Sequence, residues 1–312
     1  MATAEAVGHK PSRIELAPVE ARPVVPWVQA IPLQNEDVSF RVDDVERVRY
    51  NSGLTVLRPY LFPIIGPAGR MVTRMGHPHD AYGHRHHYSV WVAHQKVNDC
   101  DLWADHGLTG RQAHSKLVAL EDGDASSALA AEIVWRGPQS QELLREVRTY
   151  RVTCLPAGEL LIDIGLELAA TQGEIRFGPT PFGLCAARVA KSMSVNDGGG
   201  RITSSAGAVG EEAIFWKPAD WCDYSGEVSP GAMNGIALLS HPSNGNHPPD
   251  WHVRSDGWMG ACLSRERECV VAVDAPLRLR YGLYVHRGDV AEADVVARYD
   301  AFAASELLPC RA

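Results

Sequence analysis

Residues 159–171 read ELLIDIGLELAAT. Leu160, Ile162, Ile164, Leu166 and Leu168 fall on one face of this stretch, while Asp163 and Glu167 mark the other. A period of two is the signature of a strand buried on one side. The stretch LRLRYGLYVH, 277–286, repeats it, with Leu277, Leu279, Tyr281, Leu283 and Val285 alternating against Arg278 and Arg280. Both read as half-buried strands whose polar side faces water or a cleft.

Further strand-like runs are VSFRVDD, LTVLRPYLFPII, YSVWVAH, SKLVALED, AAEIVWR, VRTYRVTCL, RITSSAG, GIALLSH and ECVVAVD, separated by Gly, Pro, Asn and Asp. NDGGGR, 196–201, reads as a tight hairpin turn. Only DVAEADVVARYDAFAASEL, from Asp289, is helical in pattern: Asp289 and Glu292 resemble a capping box, and Val295, Val296, Tyr299, Phe302 and Ala303 line one stripe. Many short strands followed by one late helix predict an all-β chain, a large antiparallel β-sandwich with a C-terminal helix at about 289–305. Residues 1–36, rich in Pro, Ala and Glu, are expected to form an N-terminal arm, poorly structured or packed on the body, with 37–312 as a single domain.

The 312 residues carry 30 basic and 38 acidic side chains, a formal charge of −8 that disfavours nucleic acid or an anionic membrane surface as partner. No apolar run reaches the ~20 residues of a spanning helix. The opening MATAEAVGHKPSRIEL lacks the apolar stretch of a signal peptide, so the expected location is the cytoplasm. Seven cysteines without a C-x-x-C pair read as reduced thiols, mostly core filler, with Cys222 notable for its neighbours.

Two stretches carry chemistry. The first runs from His77 to Trp103, and its opening HPHDAYGHRHH, 77–87, holds five of the thirteen histidines. The second, from Trp216 to Arg254, includes ADWCDY and SHPSNGNHPPDWHVR. His, Trp, Asn, Asp and Arg together are the side chains that stack on, and hydrogen-bond to, a polar ring-shaped ligand. On an extended segment His84 and His86 point to one side and His87 to the other. His86, His241, His87 and Asp223 are therefore the candidate catalytic groups, with Asp223 and Asp220 as orienting carboxylates. Arg188, Tyr224, Asn244, Trp251, His252 and Arg254 are candidates for holding the substrate. Arg188, among small apolar residues, needs a buried acid or a bound anion. Trp221 reads as core, Asp223 and Tyr224 as facing a cleft. The bland alternatives are imidazoles that only satisfy backbone groups, turn chemistry for the Pro/Asn/Gly loop, and Trp251 as core.

The blocks RPYLFPIIGPAGRMVTR, HRHHYSVWVAHQKVNDCDLW, ADWCDYSGEV, GIALLSHPSNGNHPPDWHVR, LRYGLYVHRG and VVARYDAFA resemble, in that order, the signature blocks of a bacterial family labelled "methane oxygenase PmoA", over about residues 45–304. The label describes an integral membrane subunit, whereas this sequence has no spanning segment. The resemblance implies a β-sandwich akin to the galactose-mutarotase group, occurring alongside sugar oxidoreductases and other carbohydrate-processing proteins. Where the family reads His-Pro-His-His-Arg this chain has His84-Arg85-His86-His87-Tyr88, and its Asp-His-Pro is here Ser240-His241-Pro242.

Three function classes stay open. The first is a carbohydrate-active enzyme using histidine acid/base chemistry on a sugar or oxidised (keto) sugar, as epimerase, lyase or hydrolase. The second is a metal-dependent enzyme, oxidative or hydrolytic, with the 77–87 cluster as ligands: a divalent transition metal on His84, His86 and His241. The third is a non-catalytic carbohydrate-binding sandwich. In each the partner is a small sugar-like molecule, and the His84–His87 and His241–Arg254 segments are expected to line one cleft.

Overall fold

The computed structural model describes residues 25–53, 55–76, 84–306 and 310. The strands are β1 (Val28–Pro32), β2 (Val38–Val42), β3 (Val45–Asn51), β4 (Tyr60–Ile64), β5 (Val90–Val92) and β6 (Arg111–Glu121). They continue as β7 (Ser126–Arg136), β8 (Glu142–Cys154), β9 (Leu160–Ala170), β10 (Ile175–Phe177), β11 (Cys185–Arg188) and β12 (Arg201–Ser204). The last are β13 (Trp221–Ser229), β14 (Ala232–Ser240), β15 (Trp251–Val253), β16 (Trp258–Ala261), β17 (Cys269–Val271) and β18 (Leu277–Arg287). Two eight-stranded sheets form, in the orders β1-β2-β3-β4-β5-β11-β16-β15 and β12-β13-β14-β18-β9-β8-β7-β6, with β10 and β17 as a small pair. Every pairing is antiparallel. The antiparallel sandwich expected from the alternation is the observed fold. β1 precedes residue 37 and pairs with β2.

Alternation decides which side chains meet between the sheets. In β9, Leu160, Ile162, Ile164, Leu166 and Leu168 enter the main core, against Val90 and Val92 of β5, Cys185 and Ala187 of β11, and Trp251 and Val253 of β15. Charge crosses the same interior. Glu146 and Arg148 on β8 are both fully buried and pair at 2.5 Å, with Trp135 Nε1 donating to Glu146 (2.6 Å) and Arg148 to Gln112 (3.0 Å). Gln112 in turn donates to the Val92 carbonyl of the other sheet (2.8 Å).

The outer face of the second sheet is covered by the C-terminal helix (Val295–Ala304), whose Val295, Tyr299 and Phe302 pack on Trp221, Leu239 and Tyr284. The helix begins later than its sequence suggests. Asp294 is the cap, accepting from Ala297 N (3.2 Å), while Asp289 accepts from Ala291 N and Glu292 N in a separate turn and forms no capping box with Glu292. Val296 faces outward at 56% exposure. NDGGGR is not a hairpin either: Val195–Gly198 make one helical turn that ends at Gly199 with φ 70°. Among the described residues the cysteines are all free; Cys185, Cys222 and Cys262 are buried.

Candidate functional site

The outer face of the first sheet is the candidate site. The residues that alternate with the core positions of β5, β11, β16 and β15 are Trp91, Ala186 and Arg188, Trp258 and Gly260, and His252. Trp258 and His252 form the floor of a cavity of about 300 Å³ whose lining also includes His84, His86, His87, Gln95, Trp103, Phe182 and Arg254, while Trp91, Ala186, Arg188 and Gly260 lie on the same face of the sheet. Gly260 keeps this floor low: a Cβ there would sit 3.2 Å from the Trp258 ring and 3.3 Å from Ala186 Cβ. Loops supply the walls. Asp101 Oδ1 accepts from Trp103 N (2.7 Å) and Ala104 N (3.0 Å), a local turn that presents the Trp103 ring. That ring stacks on Phe182 at 5.2 Å and 11°.

His84–His87 is a turn rather than the extended segment expected: His84 has φ 62°, a conformation histidine tolerates better than most residues, and its carbonyl accepts from His87 N (3.0 Å). The rings of His84 and His87 therefore stack at 4.8 Å and 4°, and His86 stands at 75° to His87 at 4.5 Å. His87 continues the stack onto Trp91 (4.8 Å, 17°).

Arg188 is completely buried, and its partners answer the need foreseen for it. Its guanidinium donates to the His84 carbonyl (3.3 Å) and to His87 Nδ1 (3.2 Å), and lies 3.6 Å from Asp256. Asp256 also bonds His84 Nδ1 at 3.1 Å. Burial works against the Asp256 carboxylate, yet the His84 bond and the Arg188 charge hold its pKa below the ordinary value. Arg58, 1% exposed, donates to the carbonyls of His86, Trp103 and Ala104 and so ties the two walls together; burial lowers it to about 10.

The imidazoles of His86, His87 and His252 are neutral near pH 7. Burial, helped by the Arg58 charge, lowers His86 to about 4; burial lowers His252 to about 4 and His87 well below its usual value. Geometry also fixes two tautomers. An arginine can only donate, so His87 Nδ1 accepts and the ring proton is on Nε2. His252 Nδ1 lies 2.8 Å from the Pro181 carbonyl, which can only accept, so its proton is on Nδ1 and its lone pair on Nε2. His252 stacks on Trp258 (4.2 Å, 28°), and His87 lies 4.7 Å from the same ring.

The cavity thus gathers His84, His86, His87, His252 and Arg254, with Arg188 buried against His84 and His87 outside its lining. The other five candidates lie elsewhere. His241 sits in a separate open depression of about 470 Å³ on the outer face of the second sheet. Its Nδ1 is held by Ser243 (2.7 Å), and the neighbouring Arg278 and Arg280 are paired to Glu167 and Asp163. Asn244 spends its amide on the backbone of Arg280 (2.7 and 2.8 Å). Trp251 is core, its Nε1 donating to the Ala219 carbonyl. Tyr224 points inward, and its hydroxyl meets Val195 N and the carbonyls of Arg254 and Ser255. Asp223 is fully buried on His286 (2.8 Å), and Asp220 pairs with His247. The expectation of one composite cleft therefore holds for His252 and Arg254 and fails for His241 and Asn244, which leave on the opposite sheet.

The ligand set His84, His86 and His241 is accordingly not assembled, and among the described residues no three His, Cys, Asp or Glu side chains converge as a metal site. His77 and His79 lie outside the described residues. Trp91 and Trp103 fall within the first chemistry-bearing stretch without being singled out there, and Phe182 and Trp258 were missed. The signal was available for Trp258: in GWMGA the alternation that buries Met259 and Ala261 sends Trp258 and Gly260 to the site face.

Fold and site together define an antiparallel sandwich with a histidine-lined aromatic cavity on one outer face. The chain belongs to DUF6807, a family of unknown function, which it matches over residues 37–300. The family description carries no activity, and the methane oxygenase label is not part of it. No curated protein matches the chain. Among solved structures it is similar to a heparan sulfate lyase HepC mutant from Pedobacter heparinus, with a TM-score of 0.42 and 10% identity over 86% of this chain. This chain spans 38% of that lyase's length. It is also similar to a putative mutarotase (YeaD) from Salmonella typhimurium, with a TM-score of 0.35 and 10% identity over 84% of this chain and 97% of that one. No helix among the described residues is long and apolar enough to cross a membrane.

Proposed function

We propose that this protein is a carbohydrate-active enzyme that moves protons with histidine on a sugar or oxidised sugar bound in the His86/His252 cavity. The observation that carries the reading is the company the histidines keep: neutral imidazoles share one aromatic-walled cavity of about 300 Å³. That volume is at the small end for ligand sites and suits a monosaccharide unit. Trp103, Phe182 and Trp258 offer apolar faces for the C–H faces of a sugar ring, and Arg254 and Gln95 offer polar groups for hydroxyls. A neutral imidazole can accept a proton near neutral pH and hand it on from the imidazolium so formed, which fits epimerisation, elimination or hydrolysis.

The test is saturation-transfer NMR against monosaccharides, sugar acids and keto sugars, followed by turnover of those that bind. His86→Gln is expected to lower turnover by about 10²- to 10⁴-fold while binding persists. His241→Gln, on the other sheet, is expected to leave both unchanged. Binding without any turnover would make the protein a carbohydrate-binding module, and unaltered turnover in both His86→Gln and His252→Gln would leave the histidines of the cavity structural.

A further inference from the structure

The two fixed tautomers divide labour within the cavity. His252 presents a lone pair on Nε2, because its proton is committed to the Pro181 carbonyl; His87 presents an N–H on Nε2, because its other nitrogen is committed to Arg188. Both rings pack on Trp258 and both line the cavity. Among the described residues no group takes either Nε2. One ring is thus an acceptor and its neighbour a donor, each held in that role by a partner that cannot reverse it.

We propose that His252 and His87 are a catalytic pair for enolisation, His252 taking the proton from a carbon beside a ring carbonyl and His87 holding the carbonyl oxygen, so that the substrate is a keto sugar. This rests on the sugar reading above and narrows it. The C–H bond breaks and its proton goes to His252 Nε2. The electron pair moves into the carbon–carbon bond as the carbonyl π pair moves onto oxygen, where the His87 N–H stabilises it. His252 becomes an imidazolium whose Nδ1–H still meets Pro181, and return of a proton to the same carbon closes the cycle. No oxidant or further reactant is needed. The carbonyl is required by acidity: a buried imidazole is a weak base, and a C–H beside an ordinary alcohol carbon is far beyond its reach, whereas one beside a carbonyl yields a delocalised anion. A neutral imidazole N–H is also suited to an enolate oxygen, since it polarises the carbonyl without first giving up its proton.

The experiment follows exchange of the C–H signal by proton NMR in D₂O, using the 2-, 3- and 4-keto isomers of a methyl hexopyranoside and the unoxidised glycoside as control. At least one keto isomer is expected to exchange, the control not at all, and His252→Gln to slow exchange by about 10²-fold or more. In parallel, ¹⁵N-labelled histidine in the unaltered protein reads the tautomers without reference to activity: His252 protonated on Nδ1, His87 on Nε2. Reversed tautomers, full exchange in His252→Gln, equal exchange of the control, or exchange of no keto isomer would each overturn the pair. These failures leave the wider reading intact if other sugars are still converted. Absence of any sugar binding defeats both.

Discussion

His286 has no exposed surface, and its Nε2 lies 2.8 Å from Asp223 Oδ2, while Ser225 bonds the other carboxylate oxygen. Gly235 makes room for it; a Cβ there would fall 2.2 Å from the His286 ring. Burial alone would lower this histidine, but the Asp223 charge and hydrogen bond raise it. The folded chain therefore binds a proton that the unfolded chain has released above about pH 6.5, so the stability from this pair is complete below that value and is lost as pH rises through the folded pKa. His86, His94 and His252 act in the opposite sense. Burial lowers each to about 4, so between about pH 6.5 and 4 the unfolded chain binds more protons and stability is lost as pH falls. Urea denaturation followed across pH is expected to give a maximum near neutrality with a steep acid limb. Asp223→Asn should cost about 3 kcal/mol at pH 6.5 and flatten the alkaline limb alone; an unchanged alkaline limb would assign it to another group.

At the scale of the element, strands announced themselves because one face of each is dry. The alternation in ELLIDIGLELAAT and LRLRYGLYVH maps onto β9 and β18 without a slip. The same rule separates Trp251 and Val253, in the core, from His252, in the site, and had it been applied within WHVR it would have withdrawn Trp251 as a ligand-binding residue. Alternation does not tell what covers an outward face. Asp223 and Asp163 do point away from the core, as their spacing implies, but onto His286 and Arg280 and not into a cleft. Local cap chemistry is similarly degenerate. Asp289 and Asp294 both accept backbone N–H groups, and only the packing of Val295, Tyr299 and Phe302 decides which begins the C-terminal helix. Asp294→Ala is expected to destabilise by about 1 kcal/mol and Asp294→Asn by less, since Asn keeps the cap and tolerates the positive φ found there, as thermal midpoints would register.

For the whole molecule, the site depends on strand order that no local pattern encodes. β5 is followed in the sheet by β11, β16 and β15, so Trp91 shares one face with Arg188, Trp258 and His252, which come 97 to 167 residues later in the chain. The interior ion pair belongs to this scale as well, since Glu146, Arg148 and Gln112 link one sheet to the Val92 carbonyl of the other. Glu146→Gln leaves Arg148 buried without its carboxylate and is expected to cost about 3–5 kcal/mol. Replacing both by Leu and Met should recover much of that loss if the pair serves mainly to specify how the sheets meet. Equilibrium unfolding of the three chains distinguishes the cases: a double variant as unstable as the single one would show that the charges themselves hold the sandwich together.

Trp91, Trp103 and Trp258 share one small chamber with His87, their ring centroids within 6.4 Å of one another. Such rings are coupled light absorbers and emitters, and two of the three, Trp103 and Trp258, line the cavity. The molecule therefore carries its own optical gauge of occupancy: water leaving Trp103 and Trp258 would alter their emission, while the tryptophans of the core, such as Trp135 and Trp251, supply a steady background. A binder can be sought by its glow alone, before any reaction has been named.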